Sequence, residues 1–107
     1  MEAAIKQAID AYCRELRALY GARLKAVYLY GSRARGDAEA DSDVDVCVVL
    51  NGAVKPGEEI LRTSEATSRL SLEHDVVLSR VFVPATDLES AATAFVRNVE
   101  REGVAWA

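Results

Sequence analysis

The sequence predicts an α/β (α+β) fold, a small mixed β-sheet packed by about three to four helices, and three observations point there. Apolar residues recur at helical spacing from Ile5 to Leu19. Three short runs rich in Val, Leu and aromatic residues, at 24–30, 44–50 and 75–83, read as strands. The stretches after the second and third of these return to helical spacing. The resulting order is helix, strand, strand, helix, strand, helix, and 107 residues give room for a single domain spanning residues 1–107 with a real core. Half the residues are hydrophobic and 28% are charged, as in ordinary globules.

Each element has its own signals. Ile5, Ile9, Tyr12, Leu16 and Leu19 form the stripe of the first helix, widened by Ala8, Cys13 and Tyr20, and Gly21 stands in a usual stop position. Residues 24–30 form the first strand. The polar segment from Ser32 to Ala40 has room for one or two helical turns. In the second strand Val44, Val46, Val48 and Leu50 share one face, while Asp45, Cys47 and Val49 share the other with Asp43. Asn51-Gly52 and Pro56-Gly57 mark a loop. A helix over 58–72 follows, with acidic residues in its first turn and a thin apolar pattern of Ile60, Leu61, Ala66 and Leu70. The third strand covers 75–83 and is closed by Pro84. Thr86 or Asp87 caps a final helix carrying Leu88, Ala92, Phe95 and Val99, stopped near Gly103. Trp106 reads as a core plug or a contact for another chain.

Composition excludes several classes. No apolar run approaches the roughly 20 residues of a membrane helix, and the amphipathic N-terminus lacks the blocks of a signal peptide. A cytoplasmic location without membrane contact is the expectation. A formal net charge of −4 argues against sequence-independent DNA or RNA binding, which relies on clustered cations. Cys13 and Cys47 are too few and too far apart for a disulfide framework or a zinc site, and read as buried fillers.

Chemistry concentrates between Tyr28 and Val49. Gly31 and Ser32 follow the first strand, ten residues intervene, and Asp43 and Asp45 open the second. Carboxylates at i and i+2 of a strand share a face, with Cα atoms roughly 6.5 Å apart. Carboxylates are disfavoured in strands and costly to bury, so two on one face of a valine-rich strand suggest a divalent cation. Hard oxygen ligands suit Mg²⁺, which takes only one or two protein carboxylates and completes its shell with water and phosphates. A glycine allows close backbone approach to a phosphate, and the turn after it offers free N–H groups. Arg33 and Arg35 lie nearby, and only one of the two can face the site. Asp75, at the start of the third strand, is the natural third carboxylate. Ser42 steadies the turn before Asp43; His74, Tyr28 and Tyr30 read as structural.

GSRARGDAEADSDVDV, with its Gly-Ser, ten-residue spacer and Asp-Val-Asp, resembles the signature of the nucleotidyltransferases related to DNA polymerase β, and specifically their minimal nucleotidyltransferase (MNT) branch. The likeness extends over nearly the whole chain. It implies the nucleotidyltransferase fold and two Mg²⁺ ions held by Asp43, Asp45 and Asp75, which are also the catalytic residues. It also implies ATP as substrate, with its phosphates bound by Gly31, Ser32 and Arg35. The implied reaction attaches AMP to a tyrosine hydroxyl of a cognate HEPN-domain ribonuclease toxin, neutralising it within a hetero-oligomer; the protein is then an antitoxin. Two alternatives stay open: an antitoxin acting by binding alone, and transfer to a small hydroxylated molecule with a helical partner chain.

Overall fold

The computed structural model describes residues 2–107. Helix α1 (Ala3–Tyr20) buries Ile5, Ala8, Ile9, Tyr12, Cys13, Leu16 and Tyr20 on one face. Leu19, expected on that stripe, is instead exposed. Gly21 stops the helix at φ 54°, its N–H donating to the Arg17 carbonyl, and a short 3₁₀ turn (Gly21–Arg23) leads into β1 (Leu24–Tyr30). One helical turn, α2 (Ser32–Arg35), and a loop separate β1 from β2 (Val44–Leu50). Helix α3 (Pro56–His74), β3 (Leu78–Pro84), α4 (Ala85–Ser90), α5 (Ala94–Glu102) and a two-residue strand β4 (Val104–Ala105) complete the chain.

The four strands form one mixed sheet in the order β3-β2-β1-β4. β1 runs antiparallel to both β2 and β4, and β2 runs parallel to β3. Strand alternation turns Val27, Leu29, Val44, Val46, Val48 and Leu50 into a core shared with α1 and α3. Cys47 and Val49 face the other way, into a second core with Val83, Ala85, Val96 and Val99 beneath α4 and α5. The molecule is therefore helix, sheet, helix in section, with β2 covered on both faces. Each fully buried aliphatic side chain, such as Ile9 or Leu29, stabilises this arrangement by roughly 1.5–3 kcal/mol.

Four expectations change. The second long helix begins at Pro56 and buries Glu59, Thr63, Ala66, Thr67 and Leu70, while Ile60 and Leu61 are exposed. The buried polar groups are satisfied: Glu59 accepts from Tyr20 Oη at 2.7 Å, and Tyr12 Oη lies 2.7 Å from Thr67 Oγ1. The third strand starts at Leu78, three residues later than expected, because Asp75 takes the left-handed conformation (φ 51°, ψ 48°) that ends α3. The final helix is two, since Ala91 at φ 49° ends α4 and Thr93 Oγ1 caps α5 by accepting from the Val96 N–H. The fourth strand had no recognisable signal in two residues; it returns along β1 and carries Trp106 to α1, where the indole N–H donates to Asp10 Oδ1 at 2.7 Å.

Candidate active site

Antiparallel pairing sets Tyr30, the last residue of β1, directly across from Asp45. Gly31 follows at φ 76° and ψ −159°, a conformation open almost only to glycine. A Cβ added to Gly31 would overlap Asp45 Oδ2 and stand 3.2 Å from its Cγ. The space beside the bare Cα is thus filled by the Asp45 carboxylate, and this contact is reason enough for a glycine here. Ser32 then opens α2, whose Ala34 and Arg35 N–H groups return to the Gly31 carbonyl at 3.1 Å each. The N–H groups of Ser32 and Arg33 come before the first such bond and have no acceptor inside the turn.

The loop between α2 and β2 is tied from within. Arg33 donates from Nη2 to the Ser42 carbonyl at 2.9 Å and from Nε to the same oxygen at 3.3 Å, with the Ala40 carbonyl 3.4 Å from Nη2. Ser42 Oγ accepts from the Glu39 N–H at 2.8 Å. Arg33 therefore fixes the residues that lead into Asp43, a positioning role invisible in the sequence. Arg35 is exposed, with its Nε 3.3 Å from Asp37 Oδ2.

Asp43 immediately precedes β2 and is exposed, while Asp45, within the strand, is half-buried. Burial pushes the Asp45 carboxyl up from the ordinary carboxylate range, the Asp43 charge pushes it further, and Arg35 pulls it back. Asp43, Asp45 and Arg35 thus form one electrostatic cluster, with Gly31 against it. Burial and then Asp45 also raise Tyr30, to about 12.

Asp75 does not join this cluster in a three-ligand group. Among the described residues, no three His, Cys, Asp or Glu side chains converge in a way that could hold a metal. Asp75 caps α3 and lines a cavity of about 320 Å³ with Arg33, Asp41, Ser42 and Val77. Parallel pairing places Ser79, not a carboxylate, beside Asp45 on β3. Only the strand register reveals this, because the sequence does not say which β3 residue lies opposite Asp45. The donor set fits Mg²⁺ of the kind that uses two protein carboxylates and takes its remaining ligands from water and phosphate; it does not fit an all-protein cage.

A mixed sheet that sets paired carboxylates against a glycine-opened turn is compatible with nucleotidyl transfer. The chain belongs to the nucleotidyltransferase domain family, whose model matches residues 9–105. It is 30% identical over 102 residues to "Putative protein adenylyltransferase MJ0141" of Methanocaldococcus jannaschii, covering 94% of this chain and 96% of that protein. It is 34% identical over 100 residues to "Putative protein adenylyltransferase MJ0604" of the same organism, covering 92% and 93% respectively. The fold is shared with a crystal structure described as a toxin-antitoxin with AMP-PNP, at a TM-score of 0.62 and 23% identity over 90% of this chain and 71% of that one. No helix among the described residues is long and apolar enough to cross a membrane.

Proposed function

We propose that this nucleotidyltransferase is an antitoxin that transfers AMP from ATP to a tyrosine hydroxyl of a HEPN-domain toxin, acting as one domain over residues 1–107. The observation that carries the chemistry is the Asp45 carboxylate held against the bare Cα of Gly31 with Asp43 beside it. The names of the two relatives support protein adenylylation, and the shared fold of a toxin–antitoxin complex supports the partner.

In this reading Asp43 and Asp45 would hold Mg²⁺, which would supply Lewis-acid polarisation of the phosphates and offset the charge of the pyrophosphate leaving group. Gly31 allows a phosphate to approach the backbone, Ser32 donates its hydroxyl to a phosphate oxygen, and Arg35 turns from Asp37 to the triphosphate. Asp75, which lines the cavity with Arg33, Asp41 and Ser42, serves as base or orienter for the attacking hydroxyl rather than as a third metal ligand. Incubating the protein with ATP, Mg²⁺ and the protein encoded beside it, then weighing that neighbour, gives the test. An AMP-sized increment is expected; its absence across metals and nucleotides rejects the proposal.

One observation favours a second reading, neutralisation by binding alone: no third carboxylate joins Asp43 and Asp45 among the described residues. Asp43→Asn and Asp45→Asn separate the two, since a binding antitoxin keeps protecting cells without either charge.

A further inference from the structure

We propose that the groove between the end of β1 and α5 is a nucleobase subsite in which Asn98 selects adenine; this rests on the nucleotide-transfer reading above. The groove measures about 240 Å³ and is lined by Tyr30, Gly31, Arg35, Phe95, Asn98 and Glu102, among others. Whole-ligand clefts span roughly 300–1,000 Å³, so this space suits one ring system and not a complete nucleotide.

Its lining is part charged and part aromatic. Gly31 and Arg35 lie beside Asp45, where phosphate and its cation belong. Tyr30, across the strands from Asp45, and Phe95 of α5 form an edge-to-face pair with centroids 5.2 Å apart and planes at 90°. Such a pair is a stiff apolar wall, and a base gains stacking or edge contact on it. Glu102, also in the lining, has its carboxylate 3.7 Å from Arg101 Nη2. Phosphate therefore takes the Gly31 and Arg35 side, and the aromatic pair is left for the base.

Asn98 supplies the polar discrimination. Its Oδ1 accepts from Arg101 Nη2 at 2.7 Å, which leaves that oxygen a second lone pair and the amide nitrogen free to donate. An amide offers one acceptor and one donor side by side, the complement of the adenine N6–H and N7 edge. The guanine O6 and N7 edge presents two acceptors, which the amide oxygen opposes. Tyr30 and Phe95 tolerate either purine, so Asn98 decides between them.

Binding to the intact chain in Mg²⁺ is measured by calorimetry with ATP, GTP and inorganic tripolyphosphate. ATP is expected to bind about tenfold or more tighter than GTP. Asn98→Ala should bring ATP down to the GTP level and leave tripolyphosphate unchanged. Phe95→Leu should weaken both nucleotides and spare tripolyphosphate, with thermal melts confirming that each variant is folded. An unchanged ATP-to-GTP ratio in Asn98→Ala overturns the assignment. Equal binding of tripolyphosphate and both nucleotides by the unaltered chain also overturns it while the phosphate site survives. Binding of none of the three removes the nucleotide-transfer reading and this subsite together.

Discussion

Gly31 and Asp45 share one volume: the carboxylate of the second strand fills the position where the glycine just after the first strand lacks a side chain. Gly31→Ala meets two penalties, a φ of 76° with an extended ψ and the overlap with Oδ2. The expected loss is about 1–3 kcal/mol from backbone strain alone, with more from the overlap. In an Asp45→Ala background the overlap vanishes, so Gly31→Ala should cost less there than in the unaltered protein. Urea unfolding of the four proteins measures that coupling, and strictly additive losses would refute the shared-volume relationship.

Burial and the Asp43 charge both work against ionisation of Asp45, and only Arg35 favours it. Asp45→Asn should therefore raise the melting temperature of the metal-free protein while abolishing nucleotidyl transfer. Mg²⁺ with nucleotide should stabilise the unaltered chain by binding the folded state only, and EDTA should reverse this. Asp45→Asn should show neither response. A variant that melts lower than the parent without metal would contradict the placement of Asp45.

Glu59 is the opposite case. Burial works against its charge, yet hydrogen bonds from Tyr20, Arg62 and Arg23 win and hold its carboxyl below the ordinary range. A depressed folded pKa contributes stability that is fully present above the unfolded value, about 4.3, and is lost as pH falls through the folded one. Glu59→Gln should cost about 2 kcal/mol at neutral pH, less than a fully buried pair because Arg62 reaches solvent. The gap between variant and parent should close on acidification below about pH 4. Denaturant midpoints across pH 3–7 check the sign.

Asp75 separates a helix stop from a catalyst. Glycine favours the left-handed conformation that Asp75 adopts, so Asp75→Gly should leave stability unchanged or slightly higher, whereas Asp75→Ala should lose on the order of 1 kcal/mol. If the carboxylate acts on the acceptor, both variants lose transfer while keeping Mg²⁺-dependent nucleotide binding. Retained transfer in the well-folded glycine variant would leave Asp75 only its capping role.

Arg33 reaches the carbonyls of Ala40 and Ser42 across the loop before Asp43. Arg33→Ala should cost about 1 kcal/mol. Amide exchange over 38–43 should accelerate, with no change at α1 or β3. Exchange that speeds up throughout the sheet instead would mean that the arginine supports the whole fold.

The sequence by itself determined the first helix and its stop at Gly21, the limits of β1, the two-faced pattern of β2 and the pairing of a Gly-Ser turn with two carboxylates. All of these are local or periodic: alternation and helical spacing are set by backbone geometry, and the two motif halves lie ten residues apart. Tertiary structure alone decided which strands pair, and so that Asp45 neighbours Ser79 and not Asp75. It also decided that Asp75 ends a helix, that one apparent final helix breaks at Ala91, and that two residues near the end close the sheet. A run of Val, Leu and Phe can begin as strand at several positions, and its register is fixed only when both faces of the neighbouring strand are buried. The acidic pair was legible because its spacing is written along the chain, whereas the groove beside it is made by α5, some fifty residues downstream of Asp45.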